Sequence, residues 1–233
     1  MKTETIKIAK YISQAGVASR RKAEILVGQG LVFVNGKKIS DVARRVDPTS
    51  DKITVAGKQL EIQKPVYYLL NKPAGYTCTL QDRHARKLII SLVPDKPKVW
   101  PVGRLDKMTS GLILLTNDGD ITLKLTHPRH EIKKEYEIIS NLPLTQTEIK
   151  SIQNGLKLED GFIKPDQFEV IGKKKYLITI HSGKKRVVRR IIEKVGKSVV
   201  DLKRIRVGSL NLDSLPSGKY RELSPQEISR LLK

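Results

Sequence analysis

The apolar positions of the first sixty residues predict two short helices followed by a small sheet. Apolar residues between positions 6 and 12 share one helical face. A second helix follows, because Ser19 can cap its start and Gly30 can end it in a left-handed conformation. Strand-like runs then turn at Asn35-Gly36, a pair that favours the tight turn of a β-hairpin. Another hairpin is expected at Ala56-Gly57, so this part of the chain should form a unit of its own.

After residues 62–65, which we interpret as a linker, the apolar pattern changes several times between strand and helix periods. Strands are expected where apolar residues run together or alternate, and helices where they recur every three or four positions. The main predicted strands cover 111–116 and 133–140, and the main predicted helices cover 145–158 (with a stop at Gly155), 187–196 and 224–232. The expected fold class is α+β, with a small N-terminal α/β unit and a larger unit on a mostly antiparallel sheet.

The charge balance points to a polyanion as the partner. The 233 residues include 45 Lys and Arg against 24 Asp and Glu, a formal net charge of +21. This excess favours nucleic acid; the alternative is an acidic membrane surface, which no strongly amphipathic basic helix supports. No apolar run approaches the ~20 residues that span a bilayer, and no apolar signal-peptide core is seen. Because Cys78 is the single cysteine, we expect no intrachain disulfide, no Cys-rich zinc site and a cytoplasmic protein.

Three consecutive cations, Arg20, Arg21 and Lys22, occupy the first turn of the second predicted helix. Cations there oppose the helix dipole at a cost of roughly a few tenths of a kcal/mol each. A phosphate ligand would explain them, whereas the simpler interpretation is an ordinary exposed basic face. Asn35 and Lys37 lie on the adjacent hairpin and would extend a surface that recognises phosphates and shape, not base edges.

Residues 5 to about 60 resemble the S4 RNA-binding domain. The resemblance rests on the order of an Ala-Gly break, the run Ser-Arg-Arg, a helix that ends in Gly, and the hairpin segment VFVNGK. It implies binding to structured RNA. On this basis we divide the chain into an S4-type domain over residues 1–61, a linker over 62–65 and a second domain over 66–233.

The second domain places a carboxylate in a position suited to chemistry. Asp106 follows Gly103 in a loop that leads into an apolar strand, and Arg104 lies two residues before it. Such a carboxylate can act as nucleophile, general base or metal ligand, or it can simply cap a turn. Asp118 and Asp120 lie in an Asn-Asp-Gly-Asp segment, where turn and cap roles are commonest. A glycosidase with two carboxylates is a further alternative.

The segment GRLDKMTSGLILLTNDG (103–119) resembles the signature of RNA pseudouridine synthases, in the branch that carries an N-terminal S4 domain. Further segments match in order: LNKPAGYTCT (70–79), LTHPRHEIKKEYEI (125–138), SGKKRVVRRIIEKVG (182–196) and LKRIRVGSLNLDSLPSGKYREL (202–223). The resemblance covers nearly the whole chain. It implies that residues 66–233 form a pseudouridine synthase catalytic domain, an isomerase that converts one or very few uridines to pseudouridine.

The family motifs imply roles for particular residues. Asp106 is the implied catalytic aspartate, Tyr136 the tyrosine that packs on the target base, and Arg189 the arginine that pairs with the aspartate. Without the family, Tyr136 could be a core aromatic and Arg189 a solvated helix residue. Val187 stands where the family usually has Gln, and Ile191 replaces a usual Met at similar volume. The side chains expected to bind RNA are Arg20, Arg21, Lys22, Asn35, Lys37, Lys72, Arg104, Lys134 and Arg190.

The implied chemistry suits these residue types. The N1–C1′ bond of uridine breaks and the base is rejoined through C5, which needs no redox step, ATP, metal or cofactor. Asp106 could attack as a nucleophile or remove a ribose proton to give a glycal, and both routes stay open. The base must leave the helix stack, and Tyr136 would offer it a face. Arg189 beside a buried Asp106 would lower the pKa of the carboxyl group.

The expected substrate is ribosomal RNA, recognised as a structured stem-loop with the target uridine flipped out. Large-subunit rRNA is the first choice and small-subunit rRNA the second, while transfer RNA is less favoured. Two alternatives belong to other classes: an RNA-binding ribosome-assembly factor with an inactive catalytic fold, and an RNA glycosidase that releases the base. We expect a cytoplasmic monomer with no membrane partner and no cofactor or metal.

Overall fold

The structure, a computed structural model, describes residues 4–79 and 87–232, with the side chain of residue 232 left undescribed. By its internal contacts the chain divides into two units. The first comprises the described residues up to Val66 together with Lys96–Lys98 and Asn117–Gly119, and the second comprises the remainder. The boundaries 1–61, 62–65 and 66–233 stay a prediction, since two short segments beyond residue 65 cluster with the first unit.

The first unit consists of two helices and short antiparallel strands, as the apolar pattern predicted. A four-stranded sheet has the order β3-β2-β5-β6, and β1 pairs with β4. Its elements are β1 (Ile6–Lys7), α1 (Ile8–Gln14), α2 (Arg20–Gly28), β2 (Val32–Val34), β3 (Lys37–Lys38), β4 (Arg45–Val46), β5 (Ile53–Val55) and β6 (Lys58–Gln59).

Local sequence explains where these elements begin and turn. The Ser19 hydroxyl accepts a 3.3 Å hydrogen bond from the Lys22 backbone N–H and so caps α2. Asn35 and Gly36 both have positive φ angles, as the predicted tight hairpin requires. Ile6 does not join the predicted helical face, because it pairs with β4 as part of β1 and the helix begins two residues later.

The second unit is built on a nine-stranded sheet whose main order is β13-β14-β10-β15-β9-β7-β17. β16 pairs with β15, and β8 pairs with β9. The elements are β7 (Tyr67–Lys72), β8 (Trp100–Pro101), β9 (Ser110–Thr116), α3 (Gly119–Thr126), β10 (Lys134–Ser140), α4 (Gln146–Asn154), β11 (Leu156–Leu158), β12 (Gly161–Ile163), β13 (Gln167–Gly172), β14 (Lys175–Ile180), α5 (Val187–Lys194), β15 (Val199–Val207), β16 (Leu210–Asn211), β17 (Tyr220–Glu222) and α6 (Pro225–Leu232).

The sheet is mostly antiparallel, which confirms the predicted α+β class, but β9 and β15 pair in parallel at its centre. Gly111 of β9 has a φ of +101°, and a Cβ there would lie 2.2 Å from the carbonyl oxygen of Arg204 on β15. Only glycine fits this approach, because any side chain would collide with the neighbouring backbone. The glycine therefore lets the two central strands meet.

Two apolar clusters cover this sheet. One joins α4 and α5 to β10, β14 and β15, and the other joins α3 and α6 to β7 and β9. One element differs from its prediction: residues 156–158, included in a predicted helical segment, form β11, which pairs with β12. Gly155, with a φ of +95°, ends α4 and starts this hairpin. In the described part of the chain, no helix is long and apolar enough to cross a membrane.

Candidate active site

A cavity of about 660 Å³ lies in the second unit, where members of the two apolar clusters meet. Its volume is within the range of small-ligand sites. Among the described residues that line it, Asp106 is the only carboxylate. The cations that share the cavity wall are Arg104, Lys134, Lys184, Lys185, Arg186 and Arg204. The site therefore presents one half-buried carboxylate in strongly basic surroundings.

Lys72, the last residue of β7, forms hydrogen bonds to the backbone of the loop that carries Asp106. The Lys72 Nζ atom donates hydrogen bonds to the backbone carbonyls of Pro73 (3.0 Å), Lys107 (3.1 Å) and Thr109 (2.7 Å). Burial lowers the pKa of this ammonium group, and the charge of Asp106 acts against that shift. Lys72 thus connects the Lys72-Pro73 segment to the loop that carries Asp106.

This arrangement corrects one prediction. Lys72 was expected to bind RNA, but its side chain is completely buried and its three N–H groups are used within the protein. A buried lysine without a free donor does not contact a phosphate backbone, so that prediction is wrong. The Lys-Pro motif alone could not distinguish a buried anchor from an exposed cation.

Two further bonds fix the same loop. The Gly75 N–H donates to the Lys107 carbonyl at 2.8 Å, and the Leu105 N–H donates to Cys78 Sγ at 3.4 Å. Cys78 is buried, and burial raises the pKa of its thiol. These contacts place the chain on both sides of Asp106 without engaging its carboxylate.

Tyr136 and Lys134 enter the cavity from β10. They are two residues apart on one strand and therefore point to the same face of the sheet. Lys134 Nζ donates to the carbonyls of Ile132 (3.1 Å) and His181 (3.2 Å). Burial, and to a lesser degree the charge of Arg204, lowers the pKa of Lys134. Tyr136 is half-buried and packs against the neighbouring apolar cluster, with part of its surface open to the cavity.

Arg189 is buried on α5, with 8% of its surface exposed, and it does not line the cavity. Its guanidinium donates to the Val199 carbonyl (3.2 Å) and to the Met108 carbonyl (3.3 Å). Among the described residues no ion pair joins Arg189 to Asp106, so the implied pairing is not present in this structure. Arg189 instead contacts the backbone two residues after the aspartate. The alternative of a solvated helix residue is also wrong.

The neighbouring side chains of α5 behave differently. Arg190 forms a two-pronged ion pair with Asp160, with both N–O distances at 2.9 Å, and so anchors α5 to the β11–β12 turn. Its predicted contact with RNA would compete with that pair. Val187, which replaces the usual Gln of the motif, is buried and lines the cavity.

The RNA-binding residues predicted in the first unit lie on its surface. Arg20, Arg21, Lys22 and Lys37 are exposed. Asn35 is exposed as well, but its amide is engaged: Nδ2 donates to Asp51 at 2.8 Å, and Oδ1 accepts from the Lys52 N–H at 2.9 Å. Arg104 is exposed at the rim of the cavity in the second unit. Contact of these six side chains with RNA stays a prediction.

Sequence reasoning missed Arg204. It lies on β15 and lines the cavity, although only 4% of its surface is exposed. In the sequence it is one of ten Lys and Arg between positions 183 and 206, a density that suggested a basic surface. Burial of Arg189 and Arg204 shows that part of this charge faces inward. The position of Arg204 two residues after buried Leu202 on a strand was the available signal.

Two family models match the chain: RNA pseudouridylate synthase over residues 66–194 and the S4 domain over residues 6–53. The chain belongs to the RNA pseudouridylate synthase family. This confirms the resemblance deduced from the motifs and the expected enzyme class. The S4 match likewise confirms the predicted N-terminal domain type.

Similar proteins extend over nearly the whole chain. It is 42% identical over 233 residues to the ribosomal large subunit pseudouridine synthase B of Bacillus subtilis (strain 168), covering 97% of this chain and 95% of that protein. An uncharacterised RNA pseudouridine synthase of Aquifex aeolicus (strain VF5) is 42% identical over 234 residues, covering 98% and 94%. A crystal structure of a pseudouridylate synthase superposes with a TM-score of 0.70 at 29% identity, covering 97% and 99%.

Proposed function

We propose that this protein isomerises one uridine, or very few, to pseudouridine in large-subunit ribosomal RNA. The observation that carries the proposal is the cavity in which Asp106 is the only carboxylate among the described lining residues, with Tyr136 on its wall. The Bacillus subtilis relative, which matches over 97% of this chain and 95% of its own, is named for the same reaction on the same subunit.

In this proposal Asp106 acts at the ribose of a uridine that has been flipped into the cavity. The carboxylate either attacks C1′ or removes a ribose proton, and in both cases the N1–C1′ bond breaks. Tyr136 stacks on the uracil ring, a contact worth about 1–3 kcal/mol per base. The Met108 carbonyl contact of Arg189 supports a positioning role for that arginine, because it holds the loop that carries Asp106.

RNA placement is assigned to the exposed cations of both units. The S4-type unit contributes Arg20, Arg21, Lys22 and Lys37, and the cavity rim contributes Arg104. These groups suit the recognition of a structured stem-loop through its backbone and shape. We propose further that the protein works in the cytoplasm as a monomer.

Pseudouridine mapping of total rRNA from cells with and without this protein tests the proposal. We expect one site, or very few, in large-subunit rRNA to lose its signal when the protein is absent and to regain it when the wild-type chain is restored. Loss of the pseudouridine signal at a small-subunit site instead would mean that the target lies in small-subunit rRNA. An abasic site in the presence of the protein would indicate a glycosidase. Identical maps would contradict the proposal and favour an inactive assembly factor.

A further inference from the structure

Arg204 is a buried cation whose capacity for hydrogen bonding is mostly unused. Its Nε donates a 2.8 Å hydrogen bond to the Leu112 carbonyl. Within the described residues, the two terminal nitrogens have no hydrogen-bond partner, and no carboxylate forms an ion pair with the guanidinium. The side chain nevertheless lines the cavity. Its free N–H groups are therefore available to a ligand in the site.

The strand register places Arg204 at the centre of the site. Its Cα atom pairs with Tyr136 on β10 on one side and with Gly111 on β9 on the other. β9 is the strand into which the Asp106 loop leads, and the bond to Leu112 ties the guanidinium to that strand. Arg204 thus lies between the strand that carries the tyrosine and the strand that follows the aspartate.

Among the described residues no carboxylate forms an ion pair with this charge, although Asp106 lines the same cavity. Burial is the main reason that the pKa values of Lys72 and Lys134 are lowered, and the nearby charge of Arg204 lowers them further. A guanidinium does not lose its proton in proteins, and a buried charge without a counter-charge is costly. An anion that forms in the cavity during the reaction would supply a counter-charge to Arg204.

We propose that Arg204 is a catalytic residue that donates hydrogen bonds to the carbonyl oxygens of the detached uracil. This inference rests on the proposed function. When the N1–C1′ bond breaks, its electron pair stays on the base, and the negative charge spreads over N1, O2 and O4. When C5 then bonds to C1′, Asp106 is released from C1′ in the first route or returns the ribose proton in the second. The C5 proton leaves and N1 takes up a proton, so the sequence is a net isomerisation without a co-reactant.

The role holds for either route at Asp106, because the base departs with the same electron pair in both. A fixed, buried guanidinium stabilises such developing charge more than water does. Arg204 is held in place before the substrate binds, since Nε is bonded to Leu112 and the strand is central in the sheet. The free energy of reorganisation is therefore small at the moment of reaction.

Single-turnover kinetics with saturating substrate RNA test this role in Arg204→Met, with Arg206→Met as the matched control. Arg206 lies on the same strand but pairs with Glu135 at 2.6 Å and does not line the cavity. We expect the Arg204→Met rate to fall about 100-fold, as for loss of one oxyanion donor. RNA affinity should stay within about three-fold of wild type, and Arg206→Met should keep nearly the full rate. A rate for Arg204→Met close to that of wild type would overturn the inference.

A second substrate separates this role from damage to the fold. RNA with 5-fluorouridine at the target position releases a base whose fluorine already stabilises the anion. The measured quantity is the rate of the first cleavage of the N1–C1′ bond. In Arg204→Met and Arg204→Lys this rate should fall clearly less on the 5-fluorouridine RNA than on uridine RNA. The ratio of the two rates does not depend on the folded fraction. Equal defects on both substrates would indicate phosphate binding or lost structure and overturn the inference.

The two hypotheses fail in different ways. A wild-type protein that makes no pseudouridine on any rRNA would overturn the proposed function together with this inference. An active wild-type enzyme with an equally active Arg204→Met variant would overturn the role of Arg204 alone.

Discussion

The ammonium group of Lys72 donates a 2.7 Å hydrogen bond to the backbone carbonyl of Thr109, three residues after Asp106. The end of β7 and the loop before β9 are thereby joined. Because the same nitrogen also bonds the carbonyls of Pro73 and Lys107, one buried cation sets the path of the loop that carries the proposed catalytic carboxylate.

Lys72→Met should therefore affect both stability and rate. One buried and two partly buried carbonyl groups lose their donor, so we expect the free energy of unfolding to fall by about 2–4 kcal/mol. The single-turnover rate should also fall, because the Asp106 loop loses its fixed geometry. Chemical denaturation and rapid-quench assays measure these effects. Lys107→Met, with an exposed side chain in the same loop, is the control, and equal stability of the two variants would contradict this account.

Arg189→Lys should slow the chemical step by about 10-fold or more, because an ammonium group does not reproduce the planar fork that reaches two carbonyls. One terminal nitrogen donates to the Val199 carbonyl and the other to the Met108 carbonyl. Arg190→Lys should slow the step much less, since its partner is the exposed Asp160. Single-turnover rates at saturating RNA compare the two. Similar losses in both variants would mean that Arg189 has no special part in placing the loop.

Replacement of Arg20, Arg21 and Lys22 by Ala should weaken RNA binding and leave the chemistry intact. These exposed cations lie in the first turn of α2. We expect a loss of about 2–4 kcal/mol at low salt, at ~1 kcal/mol per charge-assisted contact. Each lost phosphate contact should also lower the log–log salt slope by roughly 0.7–0.9. Kd as a function of salt measures both, and the rate at saturating RNA should change by no more than a few-fold.

Two outcomes would revise that interpretation. Unchanged affinity and salt slope would identify the basic run as an ordinary solvated face. A collapsed rate at normal affinity would mean that the S4-type unit takes part in forming the active site.

Glu227 makes the stability of the C-terminal helix depend on pH. Its carboxylate accepts two hydrogen bonds from Arg221, at 2.7 and 2.9 Å, and one from the Ser224 N–H at 2.8 Å. The bond from Arg221 is the main reason that the pKa of Glu227 is lowered from 4.5 to about 2. Because the folded pKa lies below the ordinary value, this stabilisation is complete above pH 4.5 and is lost as the pH falls from 4.5 towards 2.

Glu227→Gln should accordingly lower the free energy of unfolding by about 1–2 kcal/mol at pH 7, a value reduced for the partial exposure of the pair. The difference from wild type should shrink as the pH approaches 2. Denaturant titrations across this range measure it, with Glu169→Gln on the exposed part of β13 as the control. A difference that is constant with pH would show that the ion pair is not its source.

Much of the fold follows from local sequence. Ser19, the Asn35-Gly36 pair and Gly155 each mark an element boundary that the structure reproduces. The parallel pairing of β9 with β15 was not predictable in the same way. It depends on two segments about ninety residues apart, and the only local trace is Gly111, whose missing Cβ permits the approach.

Sequence motifs located some residues of the site, but they could not predict the role of a residue when that role depends on its burial. Asp106 and Tyr136 both line one cavity, and the roles that the motifs imply for them stay predictions. Lys72, Arg189 and Arg204 appear in sequence as three members of a basic chain, yet each is buried and bonded to backbone carbonyls. Composition and motif spacing show that a residue is charged, but they do not show how deeply its side chain is buried. These three assignments therefore required the structure.

The central claim is that Asp106 performs the chemistry. The most direct test incubates purified wild-type protein and the Asp106→Asn variant with large-subunit rRNA and counts pseudouridine at the target site. Asn keeps the size of the side chain and removes its charge, and Asp213→Asn provides a control at an exposed residue that does not line the cavity. We expect no detectable pseudouridine from Asp106→Asn, with RNA binding near that of wild type and full activity in the control. Pseudouridine formation by Asp106→Asn at the wild-type rate would contradict the claim.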